Sequence, residues 1–343
     1  MTPGRGGKAA VVSTALRIGG AVGAGLAARR LARSVRALDL EGRAAIVTGG
    51  SRGLGFALAR ELLDRGARVA ICARDEEQLE RARQRLAEHG EVVAVPCDVA
   101  DPDRVAEFVA IATERLGPVD VLINNAGVIA VGPLQTQTID DFEEMMAIHL
   151  GGTLNVTFAV LPQMLAHREG RIANVTSIGG KVSVPWLLPY NTSKFAAVGF
   201  SQGLRAELAG TGVQVTTVIP GLMRTGSYLA AYFKGERAPL EYSLFTPLSV
   251  TPASTIAATR AAKRIVAAMR RGDPVLTLTL HAKLASRASG LAPGIVADAL
   301  ALVARLLPEN SGTDRKRGSD IDSALDDSLL TALGRRAARD LNQ

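Results

Sequence analysis

Short apolar runs alternate with helically spaced segments along most of this chain. Arg43–Thr48, Arg68–Arg74, Val92–Cys97, Val119–Asn124, Gly170–Ser177, Gly212–Ile219 and Val275–Leu280 read as strands. Between them, Phe56–Arg65, Glu76–Glu88, Arg104–Leu116, Asp140–His167, Tyr190–Ala209 and Thr255–Arg271 read as helices. Gly66 closes the first of these and Gly272 the last. Strand–helix alternation of this kind builds βαβ units and a parallel sheet. Seven strands over about 240 residues predict one doubly wound α/β domain with a seven-stranded sheet, not two domains.

Past Leu280 the chain outruns that domain. Ala282–Leu307 is apolar and helix-prone, broken at Pro293-Gly294. Its Leu291, Ile295, Val296, Ala299, Leu300, Val303, Leu306 and Leu307 form one wide apolar stripe, suited to an intramolecular or dimer contact more than to a membrane. Glu309–Asp322 reads as a polar linker and Ser323–Asn342 as a short amphipathic helix. The expected organisation is a tail at 1–38, the main domain at 39–281, a helical extension at 282–308, and a linker with a final helix at 309–343.

Charge refines this picture. The chain of 343 residues carries a net +7. Lys8, Arg5, Arg17, Arg29, Arg30, Arg33 and Arg36 supply all of it before the first acid at Asp39. The main domain is therefore neutral overall, which argues against a nucleic-acid-binding face. The tail's longest charge-free stretch, Ile18–Ala28, is eleven residues, short of the roughly 20 that span a bilayer. A disordered or partly helical tail is expected, with peripheral contact on anionic lipid as the alternative. The protein is then cytoplasmic, or membrane-peripheral if the tail binds lipid. Cys72 and Cys97 each end an apolar run with no metal-ligand spacing, and read as buried, reduced thiols.

Two constellations carry chemistry. Thr48-Gly49-Gly50-Ser51-Arg52-Gly53-Leu54-Gly55 sits where the first strand turns into the first helix. Glycines there let the backbone approach a pyrophosphate, and a helix N-terminus adds amides and a favourable dipole. Tyr190 and Lys194 lie four residues apart and share a helix face, with Ser177 thirteen residues before the tyrosine. A neighbouring ammonium favours the phenolate, so the expected tyrosine pKa lies below its usual value of about 10. Such a phenol can exchange a proton with a carbonyl or alcohol.

With Asp98-Val99, Asn124-Asn125-Ala126-Gly127 and Pro220-Gly221 with Thr225, these motifs stand in one order, and the chain over about residues 41–280 resembles the short-chain dehydrogenase/reductase family. The resemblance implies a Rossmann-like fold and an NAD(P)-dependent oxidoreductase acting on CH-OH/C=O groups. It implies that Gly49, Gly53 and Gly55 hold the pyrophosphate, with Thr48, Ser51, Arg52 and Leu54 in the same loop. Asp98 and Val99 would flank the adenine, and Asn125, with Ala126 and Gly127, would stabilise the sheet centre beside the cofactor. Pro220, Gly221 and Thr225 would bracket the nicotinamide amide. Tyr190 would be the general acid or base, Lys194 its tuner and a ribose ligand, and Ser177 the orienter of substrate oxygen. A homo-oligomer pairing through Asp140–His167 and Tyr190–Ala209 is also implied.

One position departs from the pattern. His149, in Met146-Ala147-Ile148-His149-Leu150-Gly151-Gly152, stands where the family usually has an asparagine that supports a proton relay. An imidazole titrating near neutrality would make a modified relay; a packed helix histidine is the alternative. Charge also addresses the cofactor. The second strand ends at Cys72-Ala73-Arg74 without an acid, and Arg52 lies in the loop, so two guanidiniums suit a 2′-phosphate. Asp75 is expected to point away. NADP(H) is favoured, with NAD(H) as the alternative. Five of the chain's thirteen aromatics, Tyr228, Tyr232, Phe233, Tyr242 and Phe245, fall in the family's lid region, and Trp186, Leu187 and Leu188 precede Tyr190. Either they line a pocket for a lipophilic carbonyl or alcohol, or they pack the lid onto the domain. Rival functions are an NAD-linked alcohol or steroid-type dehydrogenase and a catalytically inactive nucleotide-binding scaffold.

Overall fold

A computed structural model describes residues 37–252, 254–321 and 329–343. Strand β1 (Ala44–Thr48) leads into helix α1 (Gly53–Leu63), then β2 (Arg68–Ala73), α2 (Glu76–Leu86), β3 (Val92–Pro96), α3 (Pro102–Leu116) and β4 (Val119–Asn124). The second half runs β5 (Ala130–Val131), α4 (Ile139–Met146), a π-helical turn (Ala147–Gly151), α5 (Gly152–His167), β6 (Gly170–Val175), α6 (Leu188–Glu207) and β7 (Val213–Ile219). Next come β8 (Met223–Arg224), α7 (Ser227–Ala230), β9 (Tyr232–Lys234), α8 (Ala238–Val250), β10 (Ile256–Ala257), α9 (Ala258–Arg270) and β11 (Val275–Thr277). The extension holds α10 (Leu280–Leu291), α11 (Pro293–Leu306), β12 (Arg315–Arg317) and α12 (Leu329–Asp340).

The main sheet has seven strands in the order β11-β7-β6-β4-β1-β2-β3, every pair parallel. Strand side chains alternate between faces. Ala45 and Val47 of β1 thus join one apolar cluster with α1 and α9, while Ala44 and Ile46 join the other with α3 and α5. Local chemistry places the helix starts: Asp75 caps α2 by accepting the Gln78 N–H, and Asp101 caps α3 ahead of Pro102. From β1 the chain winds outward through β2 to β3 and then crosses back to β4 on the other side of β1, which puts a crevice at the carboxyl ends of β1 and β4, where α/β sheets bind ligands.

The expected main strands and helices are present, with ends shifted by a few residues. Three features differ. Asp140–His167 is not one uniform helix, because the π-helical turn interrupts it at His149. The expected polar linker contains β12, which pairs antiparallel with β9 through Arg315↔Lys234 and Arg317↔Tyr232. Among the described residues nothing buries the stripe on α11: Val303 and Leu307 line the cavity and no residue of the helix is buried. Among residues 1–38, only Ala37 and Leu38 fall within the described residues; Leu38 is buried in the core and the tail reading lies outside them.

Candidate active site

A cavity of about 1090 Å³ runs from the α1 N-terminus across the carboxyl ends of β1, β4 and β6 to the lid formed by α7 and α8. Every residue assigned above to catalysis or cofactor binding lines it except Thr48, whereas Leu188 of the expected substrate pocket does not. The Thr48 hydroxyl instead accepts the N–H groups of Asn125 and Ala126 at 2.9 and 3.0 Å, tying β1 to β4. Asn125 returns its amide to the Thr48 and Gly49 carbonyls at 3.0 and 3.2 Å.

The glycine loop is built for close approach. Gly49 and Gly53 take φ +62° and +58°, and a Cβ on Gly55 would stand 2.0 Å from the Gly49 carbonyl oxygen. Helix α1 starts without a side-chain cap and without an acid in its first turn; the Leu341 carbonyl takes the Gly53 N–H, and the dipole is offset by no carboxylate of that turn. Arg52 has no carboxylate at ion-pair distance among the described residues. Burial, followed by the like charge of Arg317, draws its guanidinium below the ordinary value. Arg74 at the β2 tip lies 3.8 Å from Asp98, with both groups half exposed. Asp75 caps α2 through one carboxylate oxygen but, against the expectation that it points away, also lines the cavity beside Arg74. A cradle of small residues, a helix N-terminus and two or three guanidiniums fit a dinucleotide bearing phosphate groups.

At the other end, Ser177, Tyr190 and Lys194 converge. Ser177 accepts the Gly179 N–H at 3.0 Å and hydrogen-bonds the Tyr190 phenol. Lys194 is buried, donates to the Val175 carbonyl at 3.3 Å, and stands 5.7 Å from the Tyr190 ring centre. Burial raises the Tyr190 pKa, and the Ser177 bond offsets only part of that rise. Burial likewise lowers Lys194 to about 8. The expected lowering of Tyr190 is therefore absent from the protein groups alone: desolvation disfavours both charged forms and exceeds the pairing of the two.

His149 is fully enclosed. Its Nε2 accepts the Val128 N–H at 3.2 Å, and its Nδ1 lies 2.7 Å from Ser193 Oγ, which itself donates to the Tyr190 carbonyl at 2.8 Å. This pattern selects the neutral Nδ1–H tautomer. The ring meets Tyr190 edge-on at 5.4 Å. Burial first, and the Lys194 charge second, hold its pKa well below 6.5, so the expected titration near neutrality is not found.

Of the five lid aromatics, Tyr228, Phe233 and Tyr242 are buried against one another and form the lid's own core. Tyr232 and Phe245 face the cavity with Trp186, Leu187 and Leu248. Trp186 adopts φ +67°, a strained conformation for a bulky residue, on the cavity rim. Sequence reasoning missed Arg317, Gln343, Val303 and Leu307, which also line the cavity. They arrive from the extension, and no local pattern signals so distant a contact.

Comparison with known proteins agrees with this geometry. The sequence model of the short chain dehydrogenase family matches residues 43–231. A Streptomyces violaceoruber protein, whose name assigns it provisionally to ketoacyl reduction in the granaticin polyketide synthase, is 41% identical over 184 residues. That match covers 53% of this chain and 68% of the relative. An uncharacterized oxidoreductase of Mycobacterium bovis is 36% identical over 186 residues, covering 54% of this chain and 75% of the relative. The crystal structure of a short-chain dehydrogenase from Streptomyces avermitilis superposes with a TM-score of 0.66 at 28% identity, covering 77% of this chain and 97% of that one.

Proposed function

From the premise that this chain belongs to the short-chain dehydrogenase family of NAD(P)-dependent oxidoreductases, we propose that it is an NADP(H)-dependent carbonyl reductase with Tyr190 as proton donor. The observation that carries this reading is the single cavity joining an arginine-bearing glycine loop to the Ser177–Tyr190–Lys194 cluster. Gly49, Gly53, Gly55, Asn125, Ala126 and Gly127 would hold the dinucleotide, with Asp98 and Val99 at its adenine and Pro220, Gly221 and Thr225 at its nicotinamide. Arg52 and Arg74 would take the 2′-phosphate bidentately, an interaction that a hydroxyl there cannot replace. Held by these residues, the cofactor would supply hydride-transfer chemistry at the substrate carbon.

The chain's own groups handle the oxygen and its proton. Ser177 donates to the carbonyl oxygen and fixes its position; Tyr190 gives that oxygen a proton as negative charge builds on it. Lys194, charged below about pH 8, stabilises the phenolate left behind. His149 acts as a positioning residue, bracing the helix turn of Tyr190 through Ser193. Trp186, Leu187, Phe245 and Leu248 on the wall favour a lipophilic carbonyl compound. The exposed Phe158, Leu165 and Phe195 on α5 and α6 support pairing of two copies through that face.

Titration of the protein with NADPH and with NADH, followed by fluorescence, tests the cofactor assignment. Tight NADPH and weak NADH binding is expected. Preference for NADH would overturn it in favour of an NAD-linked alcohol dehydrogenase, and binding of neither would indicate an inactive scaffold.

A further inference from the structure

The extension crosses the lid and finishes on the glycine loop. Leu341 is buried in the same apolar cluster as Leu54 and Phe56 of α1. Its carbonyl accepts the Gly53 N–H at 2.9 Å. Asn342, at φ +60°, donates its side-chain amide to the Ser51 carbonyl at 2.7 Å and to the Gln78 carbonyl at 3.0 Å. Gln343 donates to the Gly226 carbonyl at 2.7 Å, and its Oε1 lies 3.7 Å from the place a Gly53 Cβ would occupy. Arg85 of α2 holds the segment from the other side, donating to the carbonyls of Arg339 and Asp340 at 3.2 and 3.0 Å.

Besides the apolar seat of Leu341 and the bonds to Gln78 and Arg85 on α2, the polar contacts of Leu341–Gln343 fall in two places. One is the Ser51–Gly53 turn, where a dinucleotide's phosphates would lie; the other is Gly226, where the lid begins. Gly226 itself takes φ +77°, and a Cβ there would stand 2.6 Å from that of Ala338, so α12 is seated directly on this hinge. A glycine-rich turn is entropically costly to order, and a turn ordered before its ligand arrives binds that ligand more tightly. Docking of α12 for stability alone would need only its apolar face.

We propose that Leu341–Gln343 is a latch for the cofactor site, with Asn342 and Gln343 as positioning residues. It holds the Ser51–Gly53 turn in its dinucleotide-receiving shape and ties that turn to the lid hinge at Gly226. The proposal rests on the reading that the glycine loop receives a nicotinamide dinucleotide.

The test compares the full chain with its Asn342→Gly and Asn342→Asp variants. Glycine keeps the left-handed backbone and aspartate keeps the shape; both remove the two amide donors. The readouts are NADPH affinity by fluorescence, amide hydrogen exchange across residues 49–55, and Tm. Loss of the hydrogen bond to Ser51 in the turn and of that to Gln78 beside it predicts NADPH binding weakened about tenfold in both variants, with faster exchange at Gly53 and little change in Tm. NADPH affinity equal to that of the unaltered chain would overturn the latch alone. So would a large fall in Tm with exchange raised throughout the domain, which marks a purely structural contact. An unaltered chain that binds neither NADPH nor NADH would overturn the dinucleotide reading, and the latch with it.

Discussion

Both nitrogens of His149 are engaged, one by the Val128 N–H and one by Ser193. A ring so placed stays neutral through the physiological range and contributes shape and hydrogen bonds. The kcat profile between about pH 5.5 and 7.5 is therefore expected to carry no titration from it. His149→Asn should leave the profile's form unchanged. His149→Ala, which orphans two buried partners, should lower kcat by about tenfold or more. An inflection near neutrality that vanishes in His149→Asn would contradict this. Arg52 and Arg74 act at the other end of the cavity. If they bind the 2′-phosphate, the Arg52→Ala, Arg74→Ala double variant should raise the KM for NADPH about 100-fold and barely alter that for NADH. Steady-state kinetics with both cofactors decides it, and an unchanged NADPH KM would count against the assignment.

At the scale of elements, the sheet and its covering helices are legible in sequence because each strand is a short apolar run and each helix carries its own punctuation, such as Asp75, Asp101 and Gly66. Strands β5, β8, β9, β10 and β12, of two or three residues each, are too short to show any alternation, whereas the equally short β11 heads the apolar run Val275–Leu280. The π-helical turn at His149 likewise leaves no trace in hydrophobic spacing. The three glycines and the Ser177, Tyr190 and Lys194 set were readable from motif order. Arg317 and Gln343 were not, because their roles depend on how the extension folds back. Within the lid, Glu241 of α8 is buried. One of its carboxylate oxygens accepts from Asn310 at 2.6 Å, and the other has no hydrogen-bond partner among the described residues. Lys234 is engaged by Asp141 instead. Burial raises the Glu241 pKa from 4.5 to about 7. A raised folded-state pKa contributes stability that is full below the unfolded value and lost as pH rises through the folded one. The lid should accordingly loosen between about pH 4.5 and pH 7. Glu241→Gln should have a higher Tm than the unaltered chain at pH 8 and none of that advantage at pH 4. Equal Tm values at pH 8 would refute it.

Among the described residues two apolar surfaces remain open. Phe158 and Phe195 are 60% and 45% exposed on two helices of the main domain, and no residue of α11 in the extension is buried. If copies pair through the first surface, Phe158→Asp with Phe195→Asp should convert the assembly to monomers in sedimentation velocity at micromolar concentration, without loss of NADPH binding. An unaltered chain that already sediments as a monomer would remove that proposal. The neutral main domain and the basic segment before Asp39 keep charge and chemistry in separate parts of the chain. The extension joins the two ends of the site: β12 pairs with the lid strand β9, and Leu341–Gln343 closes on the glycine loop.

The central claim is that hydride and proton meet at one carbonyl, with Tyr190 supplying the proton. Its most direct test offers a lipophilic ketone such as 2-decanone with NADPH deuterated at the transferable C4 position, to the unaltered protein and to Tyr190→Phe. Deuterium is expected at the carbinol carbon of the alcohol formed by the unaltered protein. A rate about 100-fold or more lower is expected for Tyr190→Phe with NADPH affinity retained. Reduction by Tyr190→Phe at the rate of the unaltered protein would contradict the claim.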